Sequence, residues 1–235
     1  MTTHSMKIKT DKKPAAMTSR SFTKYRSFIA GHYDGVAGAL TGFTGLITGH
    51  EALAGRLIRP GRFDVRGCKR ILDAGCGNGR YTKYLLRHAA PEAVLTTFDL
   101  SPAMLKRARN RLGSDRVSHA VADLTCLPYA DGCFDAVVCG YVLEHLPDPS
   151  VGLSELARVL VPGGRLLLLC TENTFMGKMT GRMWHCQTYR RDDLRSISER
   201  CGLRWGRELW FTDLHRLMRM GGIVVELHRE GTPNG

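Results

Sequence analysis

Apolar and polar positions alternate in blocks over residues 68–230, and the blocks predict strands and helices in turn. Five short apolar runs predict strands at residues 69–73, 93–99, 116–122, 134–140 and 165–170. Apolar positions spaced by three and four residues predict intervening helices at residues 81–88, 101–113 and 150–160. Strands that alternate with helices are typical of a doubly wound α/β fold with a mostly parallel sheet.

Boundary residues support these elements. Ser101 directly precedes Pro102, which predicts a helix N-cap followed by a proline in the first turn. Gly113 predicts the end of the same helix. A Pro-Gly-Gly turn at residues 162–164 precedes the fifth strand. For the C-terminal part of the chain, the pattern predicts a helix at residues 191–201 and strands at residues 203–211 and 222–228. A short helix is predicted between the two strands.

The first 67 residues have a different pattern. Glycines stand at positions 35, 38, 42, 45 and 49, and residues 36–48 carry no charge. On a helix this spacing gives one glycine stripe, which allows close approach of a neighbouring backbone. Two interpretations are short helices that cap a substrate cleft and a segment that rests on lipid. We favour the cap, and we expect a basic tail at 1–26, an N-terminal helical cap segment at 27–67 and a catalytic domain at 68–230.

The composition indicates a globular protein, and the net charge is strongly positive. Of its 235 residues, 43% are apolar and 24% are charged, which excludes a wholly disordered, collagen-like or fibrous protein. Lys and Arg number 34 against 22 Asp and Glu, so the net charge is +12. Residues 1–26 hold seven basic residues and one acid, and this +6 excess predicts a disordered tail. The tail is either simply solvated or a tether to anionic surfaces such as membrane lipid or nucleic acid.

The eight cysteines form no Cys-x-x-Cys pair and no zinc-finger spacing. A secreted disulfide scaffold is shorter and richer in cysteine, so we expect buried reduced thiols in a cytoplasmic protein. The polar residues 1–13 lack the apolar core of a signal peptide, and no run of 18 apolar residues predicts a membrane-spanning helix. His185 and Cys186 supply too few ligands for a metal site, so no metal is expected.

A glycine-rich turn carries the first candidate chemistry. It reads Asp73-Ala74-Gly75-Cys76-Gly77-Asn78-Gly79 and joins the first predicted strand to the first predicted helix. Glycines let the backbone bend sharply there and approach a ligand closely. Asp99 ends the second strand, 20 residues after Gly79, where a carboxylate can accept hydrogen bonds from ribose hydroxyls. The arrangement predicts a site for a nucleoside-containing cofactor.

The spacing of the glycines argues against a dinucleotide. The fingerprint G-x-G-x-x-G requires glycine at the position of Arg80, whereas this chain has G-x-G-x-G. A dinucleotide sets its pyrophosphate on the helix N-terminus, but a cofactor without phosphate needs only close backbone approach. A nicotinamide oxidoreductase is therefore disfavoured.

Residues from about 69 to 173 resemble the class I S-adenosylmethionine-dependent methyltransferases, especially the small-molecule branch that includes the quinone-biosynthesis methyltransferases. Six segments carry the resemblance, in order: Ile71-Leu72-Asp73-Ala74-Gly75-Cys76-Gly77-Asn78-Gly79, Phe98-Asp99-Leu100-Ser101-Pro102-Ala103-Met104-Leu105, Ala122-Asp123-Leu124 with Leu127-Pro128, Phe134-Asp135-Ala136-Val137-Val138, Val142-Leu143-Glu144-His145-Leu146 and Leu160-Val161-Pro162-Gly163-Gly164. They cover under half the chain. The resemblance implies a Rossmann-like sheet of seven strands, the last antiparallel.

The resemblance also implies S-adenosyl-L-methionine as cofactor and assigns residues to it. The implied cofactor-binding residues are Asp73, Gly75, Gly77, Asp99, Leu100, Asp123 and Leu124. Asp73 would orient the methionine amino group, directly or through water, and Asp99 would bind both ribose hydroxyls. Asp123 would accept from the adenine amino group, and Leu100 would pack on the adenine ring. Ionised carboxylates only accept hydrogen bonds, which suits these donors.

Methyl transfer from a sulfonium is an in-line displacement, for which the protein supplies proximity, alignment and a dry cleft. A base is needed only if the nucleophile must lose a proton. The candidate catalytic residues are His145, which follows the fourth strand, and Tyr33, at an N-terminal position that in similar enzymes often packs near the cofactor. A structural histidine and a helix-packing tyrosine are the alternatives.

The expected acceptor is a small molecule or a lipid-like molecule, methylated at oxygen or nitrogen in preference to carbon. In the resembled family the region at residues 175–189 shapes the acceptor pocket, and its aromatic and Met content suits an apolar acceptor, whereas Lys178 and Arg182 would meet an anionic group. An RNA-directed methyltransferase and a non-catalytic cofactor-binding module are alternatives. The chain lacks the Asn/Asp-Pro-Pro-aromatic and Pro-Cys motifs of nucleic-acid enzymes.

Overall fold

The computed structural model describes residues 50–231. The predicted basic tail, the glycine stripe and Tyr33 lie outside the described residues. Of the predicted cap segment, the structure describes the part from residue 50 onward, which forms one helix and a loop. That helix packs on the first helix of the sheet domain, since a Cβ at Gly55 would collide with the ring of Tyr84.

The elements follow the predicted alternation as far as the fifth strand. In chain order they are α1 (His50–Leu57), β1 (Arg70–Ala74), α2 (Arg80–His88), β2 (Val94–Asp99), α3 (Pro102–Leu112), β3 (Val117–Val121), β4 (Phe134–Gly140), a 3-10 turn (Leu143–His145), α4 (Pro149–Val159), β5 (Leu160–Cys170), α5 (Phe175–Trp184), α6 (Arg191–Arg200), β6 (Leu203–Glu208), α7 (Asp213–Leu217) and β7 (Ile223–Arg229). None of the helices in this part of the chain is long and apolar enough to cross a membrane.

Within residues 50–231 the sheet has seven strands, in the order β3-β2-β1-β4-β5-β7-β6. Strands β1 to β5 pair in parallel, and β7 is antiparallel to both of its neighbours. The predicted mostly parallel, Rossmann-like sheet with an antiparallel last strand is therefore confirmed. The strand order reverses between β1 and β4, and ligands of open α/β sheets bind at such a reversal, outside the carboxyl ends of the strands.

Alternate side chains of the central strands enter two separate cores. Leu72 of β1 and Val137 of β4 lie in one core, while Ile71 and Ala136, their neighbours in sequence, lie in the other. All four are fully buried. This explains the almost wholly apolar run that predicted β4, since helices cover both faces of the sheet.

Some predicted boundaries are correct and others are wrong. Ser101 Oγ accepts the N–H of Met104 at 3.1 Å, and Gly113 ends α3 in the left-handed conformation, both as predicted. Strand β5 begins at Leu160 rather than at residue 165, because pairing starts there and jumps from Phe134–Leu160 to Ala136–Arg165. The predicted Pro-Gly-Gly turn is the irregularity between these two pairs.

Candidate active site

A cleft opens at the carboxyl ends of β1, β2 and β4, where the strand order reverses. Seven residues predicted from the sequence line it: Gly75, Gly77, Asp99, Leu100, Asp123, Leu124 and His145. Residues far apart in the sequence therefore meet in one place because parallel strands end at the same edge of a sheet.

The glycine-rich turn forms the floor of the cleft beside β1. Gly75, Gly77 and Gly79 have φ angles of 66°, 54° and 80°, a left-handed region that favours glycine. A Cβ added at Gly77 would meet nothing within 4 Å, so the space next to this residue is open. A Cβ at Gly75 would instead collide with the side chain of Val142, so this glycine lets β1 and the segment after β4 approach closely.

Asp99 joins the end of β2 to this turn. Its Oδ2 accepts the backbone N–H of Gly77 at 2.8 Å, and its Oδ1 accepts the N–H of Ser101 at 2.9 Å. The carboxylate therefore has a fixed orientation at the cleft wall. An ionised carboxylate has about four acceptor positions, so it can accept hydroxyl groups of a ligand beside these backbone donors.

Asp123 lines the cleft beyond β3. Its Oδ1 accepts both the backbone N–H and the hydroxyl of Thr125, each at 2.7 Å. The Asp123 side chain therefore caps the following turn and also faces the cleft. Leu124, the next residue, is buried in the core and presents part of its surface to the cleft.

Asp73 lies next to the glycine-rich turn, and its predicted role toward the methionine amino group stays a prediction. It is buried at the end of β1 and is not among the residues that line the cleft. Its Oδ2 accepts the hydroxyl of Thr82 at 2.5 Å, whereas Oδ1 is buried with no hydrogen-bond partner among the described residues. Burial raises the pKa of Asp73 to about 7, although the hydrogen bonds from Thr82 oppose the shift. Such a carboxylate would gain from a cationic donor.

Glu144 and His145 are neighbours in sequence, but Glu144 lies in the protein interior and His145 lies at the cleft. The half-buried His145 lines the cleft at the end of the 3-10 turn. Glu144 is buried and accepts the backbone N–H of Thr171 at 2.8 Å and its hydroxyl at 2.9 Å. Desolvation raises the pKa of Glu144, and the bonds from Thr171 oppose this. Glu144 thereby ties the segment that carries His145 to the end of β5.

Two tyrosines that the sequence analysis did not single out also line the cleft. Tyr81 lies in the first turn of α2, where a Cβ at Gly140 would collide with its ring. Tyr141 follows β4 directly with a φ of 60°, and its hydroxyl donates to the carbonyl of Gly221 at 3.2 Å. Burial raises the pKa of both phenols, so they stay protonated near neutral pH. The sequence signal for each is its position: Tyr81 is two residues after Gly79 of the glycine turn, and Tyr141 directly follows a strand.

The segment after β5 does not form the cleft wall. The side chains of Phe175, Met176, Met179 and Met183 on α5 are exposed and do not line the cleft. Lys178 and Arg182 are exposed on the same helix. The described side chains of α5 therefore contribute nothing to the wall of this cleft, and the expectation that the region shapes the acceptor pocket stays a prediction.

Part of the chain that forms this cleft is similar to known proteins. Residues 72–168 match the family described as "Methyltransferase domain". The chain is similar to a demethylmenaquinone methyltransferase of Deinococcus radiodurans, with 39% identity over 103 residues, 43% of this chain and 42% of that protein. It is similar to a ubiquinone biosynthesis O-methyltransferase of Xanthomonas oryzae, with 38% identity over 116 residues, 48% of this chain and 47% of that protein. The matches span less than half the length of these curated relatives.

Solved structures agree with the fold. A putative methyltransferase in complex with the Haloferax volcanii Trm112 methyltransferase activator superposes with a TM-score of 0.68 at 19% identity, covering 88% of this chain and 98% of that one. N-methyltransferase NodS from Bradyrhizobium japonicum, solved with S-adenosyl-l-homocysteine, gives a TM-score of 0.59 at 19% identity over 77% of this chain and 86% of that one. At these identities the similarity establishes the fold alone.

Proposed function

Because residues 72–168 match the methyltransferase domain family, we propose that the chain binds S-adenosyl-L-methionine and methylates a small-molecule or lipid-like acceptor. One observation carries the proposal. Gly77, Asp99 and Asp123, at the ends of three neighbouring strands, line a single cleft. The relatives that act on quinone precursors support an apolar acceptor.

The described residues fit the cofactor. Asp99 is a carboxylate held by two backbone donors at the cleft wall, and it would accept the ribose hydroxyls. Asp123 would accept from the adenine amino group, with Leu100 against the ring. The open space at Gly77 allows close approach of a ligand to the backbone. The buried Oδ1 of Asp73 lacks a partner among the described residues, and it would attract the methionine ammonium directly or through water.

When bound, the cofactor supplies an electrophilic methyl carbon on a positively charged sulfur. The residues of this chain would align the acceptor and exclude water, since Phe98 and Val142 give the cleft apolar walls. In the transfer, the bond from the methyl carbon to sulfur breaks as the bond to the acceptor forms. His145 would take the proton that a hydroxyl or amine acceptor must lose. Oxygen or nitrogen, in preference to carbon, is the methylated atom that we propose.

The test is calorimetric titration of the full chain with S-adenosylhomocysteine, with NAD in parallel. Micromolar binding of S-adenosylhomocysteine and no binding of NAD is the expected result. NAD binding would overturn the proposed enzyme class, and binding of neither ligand would overturn the proposed cofactor. Formation of S-adenosylhomocysteine from the methyl donor, measured over a panel of quinols, phenols and lipid amines, then identifies the acceptor.

A further inference from the structure

Two segments expose apolar side chains beside the cleft. On α5 these are Phe175, Met176, Met179 and Met183, and on α7 and the turn after it they are Leu214, Leu217, Met218 and Met220. Phe175 is 79% exposed and Leu217 80%. We call the two segments together the α5–α7 surface. Contiguous apolar exposure of this kind marks interaction sites in soluble domains.

The two segments are neighbours in space. A Cβ at Gly222, just after α7 and its turn, would meet the carbonyl of Cys170, and it would lie 3.8 Å from the backbone N of Glu172. Arg219 Nη2 lies 3.9 Å from Glu172 Oε1. Glu172 stands two residues before Thr174, the N-cap of α5. The turn after α7 therefore borders the start of α5.

The α5–α7 surface is basic as well as apolar. Helix α5 contains no Asp or Glu, and α7 with the turn after it contains one acid, the exposed Asp213. The exposed cations of the two segments are Lys178, Arg182, Arg216 and Arg219. Apolar side chains interspersed with Lys and Arg are typical of surfaces that bind the headgroup region of anionic membranes.

We propose that the α5–α7 surface docks on anionic phospholipid bilayers. The Phe, Met and Leu side chains would enter the interfacial region, and the Lys and Arg side chains would meet lipid phosphates. Two other occupants suit it less well. The basic residues 1–26 would be repelled by these cations, and a symmetric second copy would bring the same cations together.

The docked surface lies at the rim of the cleft. Tyr141 lines the cleft, and its hydroxyl donates to the carbonyl of Gly221 in the turn that joins α7 to β7. Docking would therefore bring one side of the cleft mouth towards the bilayer. The docking inference does not depend on methyl transfer, because it rests on exposed residues outside the cleft.

The test is flotation of the full chain with vesicles of phosphatidylcholine alone or mixed with phosphatidylglycerol. We expect binding to the anionic vesicles that weakens as salt rises. Met179→Ser/Met183→Ser/Leu217→Ser and, separately, Lys178→Glu/Arg182→Glu should each weaken vesicle affinity by about tenfold or more. Matched controls on other faces are Val151→Ser and Lys106→Glu/Arg109→Glu, which should bind like the parent protein. Retained far-UV circular dichroism shows that each variant is folded.

Three results would overturn the docking surface. The first is no binding of the parent protein to anionic vesicles. The second is unchanged binding of both surface variants; loss on changing Lys7, Lys9, Lys12 and Lys13 to Glu would then assign binding to the tail. The third is a surface variant that turns a dimer into a monomer without changing vesicle binding. Failure of S-adenosylhomocysteine to bind would contradict the proposed function alone, since flotation needs no cofactor.

Discussion

Asp99 Oδ2 accepts the backbone N–H of Gly77 at 2.8 Å, so the end of β2 fixes the turn that follows β1. Gly77 keeps a left-handed φ of 54° and leaves open space beside it. One carboxylate thus shapes the turn and also faces the cleft. Substitution of Asp99 should therefore act on ligand binding through both roles.

Asp99→Ala should weaken S-adenosylhomocysteine binding by about 100-fold or more, because hydrogen bonds to a charged group contribute roughly 1.5–3 kcal/mol each. Asp99→Asn keeps one acceptor oxygen and should lose less. Calorimetry measures both affinities, and thermal unfolding reports whether the fold survives. Asp115→Ala, at an exposed loop position, is the control. Parental affinity in Asp99→Ala would show that the cofactor site is wrongly assigned.

Ligand affinity should depend on the ionisation of Asp73. Its pKa is raised to about 7 in the folded protein, and only the ionised carboxylate attracts an ammonium group. Affinity for S-adenosylhomocysteine should therefore rise with pH through about 7 and level off above it, with up to about a tenfold change per pH unit on the acid side. Calorimetry across this range tests the prediction. Asp73→Asn should bind weakly at every pH, and an unchanged pH profile in this variant would contradict it.

The same group should make the unliganded protein less stable as pH rises. The ordinary pKa of 3.8 applies to the unfolded chain, and the raised value of about 7 applies to the folded one. Between these values the folded state binds more protons than the unfolded state, so this contribution to the free energy of unfolding falls as pH rises. Urea unfolding of the parent protein and of Asp73→Asn at several pH values measures it. Parallel profiles for the two proteins would assign the dependence to other groups.

The His145→Gln variant tests whether His145 acts as a catalytic base or has only a structural role. If His145 takes the acceptor proton, kcat should fall by about 100-fold or more, while the affinity for S-adenosylhomocysteine stays unchanged. The measurement uses the acceptor found in the panel and follows the rate against pH. A parental rate at all pH values would show that His145 has a structural role.

Gly177→Ala should destabilise the start of α5. The added Cβ would overlap the backbone carbonyl of Glu172 and lie 3.3 Å from Thr174 Oγ1. We expect a loss of about 1–3 kcal/mol in the free energy of unfolding, more than the gain of up to ~1 kcal/mol from helix propensity. Gly67→Ala is the control, because a Cβ there meets nothing within 4 Å. Equal midpoints for the two variants in urea would contradict this packing.

The sequence predicted the sheet well because its signals are local. The apolar run of β4, the Ser101 cap and the glycines at 75 and 77 each specify their own conformation. The burial of Asp73 could not be predicted from the sequence, because it depends on the contact with Thr82 and on the packing of α2. Tyr141 was missed for a similar reason, since its contact with Gly221 joins residues 80 positions apart.

Helix α5 shows a different limit. The resemblance implied that this region shapes the acceptor pocket, but neither a resemblance nor composition fixes which way a helix faces. The buried positions of α5 are Gly177 and Gly181, where the backbone of the chain approaches closely, so the larger side chains point outward. Small residues set the orientation of this helix.

The position of β7 in the sheet affects how the chain folds during its synthesis. It lies inside the sheet, between β5 and β6, yet it is the last strand along the chain. While residues 223–229 are still unmade, β5 presents an open edge of Leu side chains and unpaired backbone groups, and β6 has no neighbour. Until β7 pairs with β5, this edge stays exposed, and we expect capture by chaperones to be strongest in that interval.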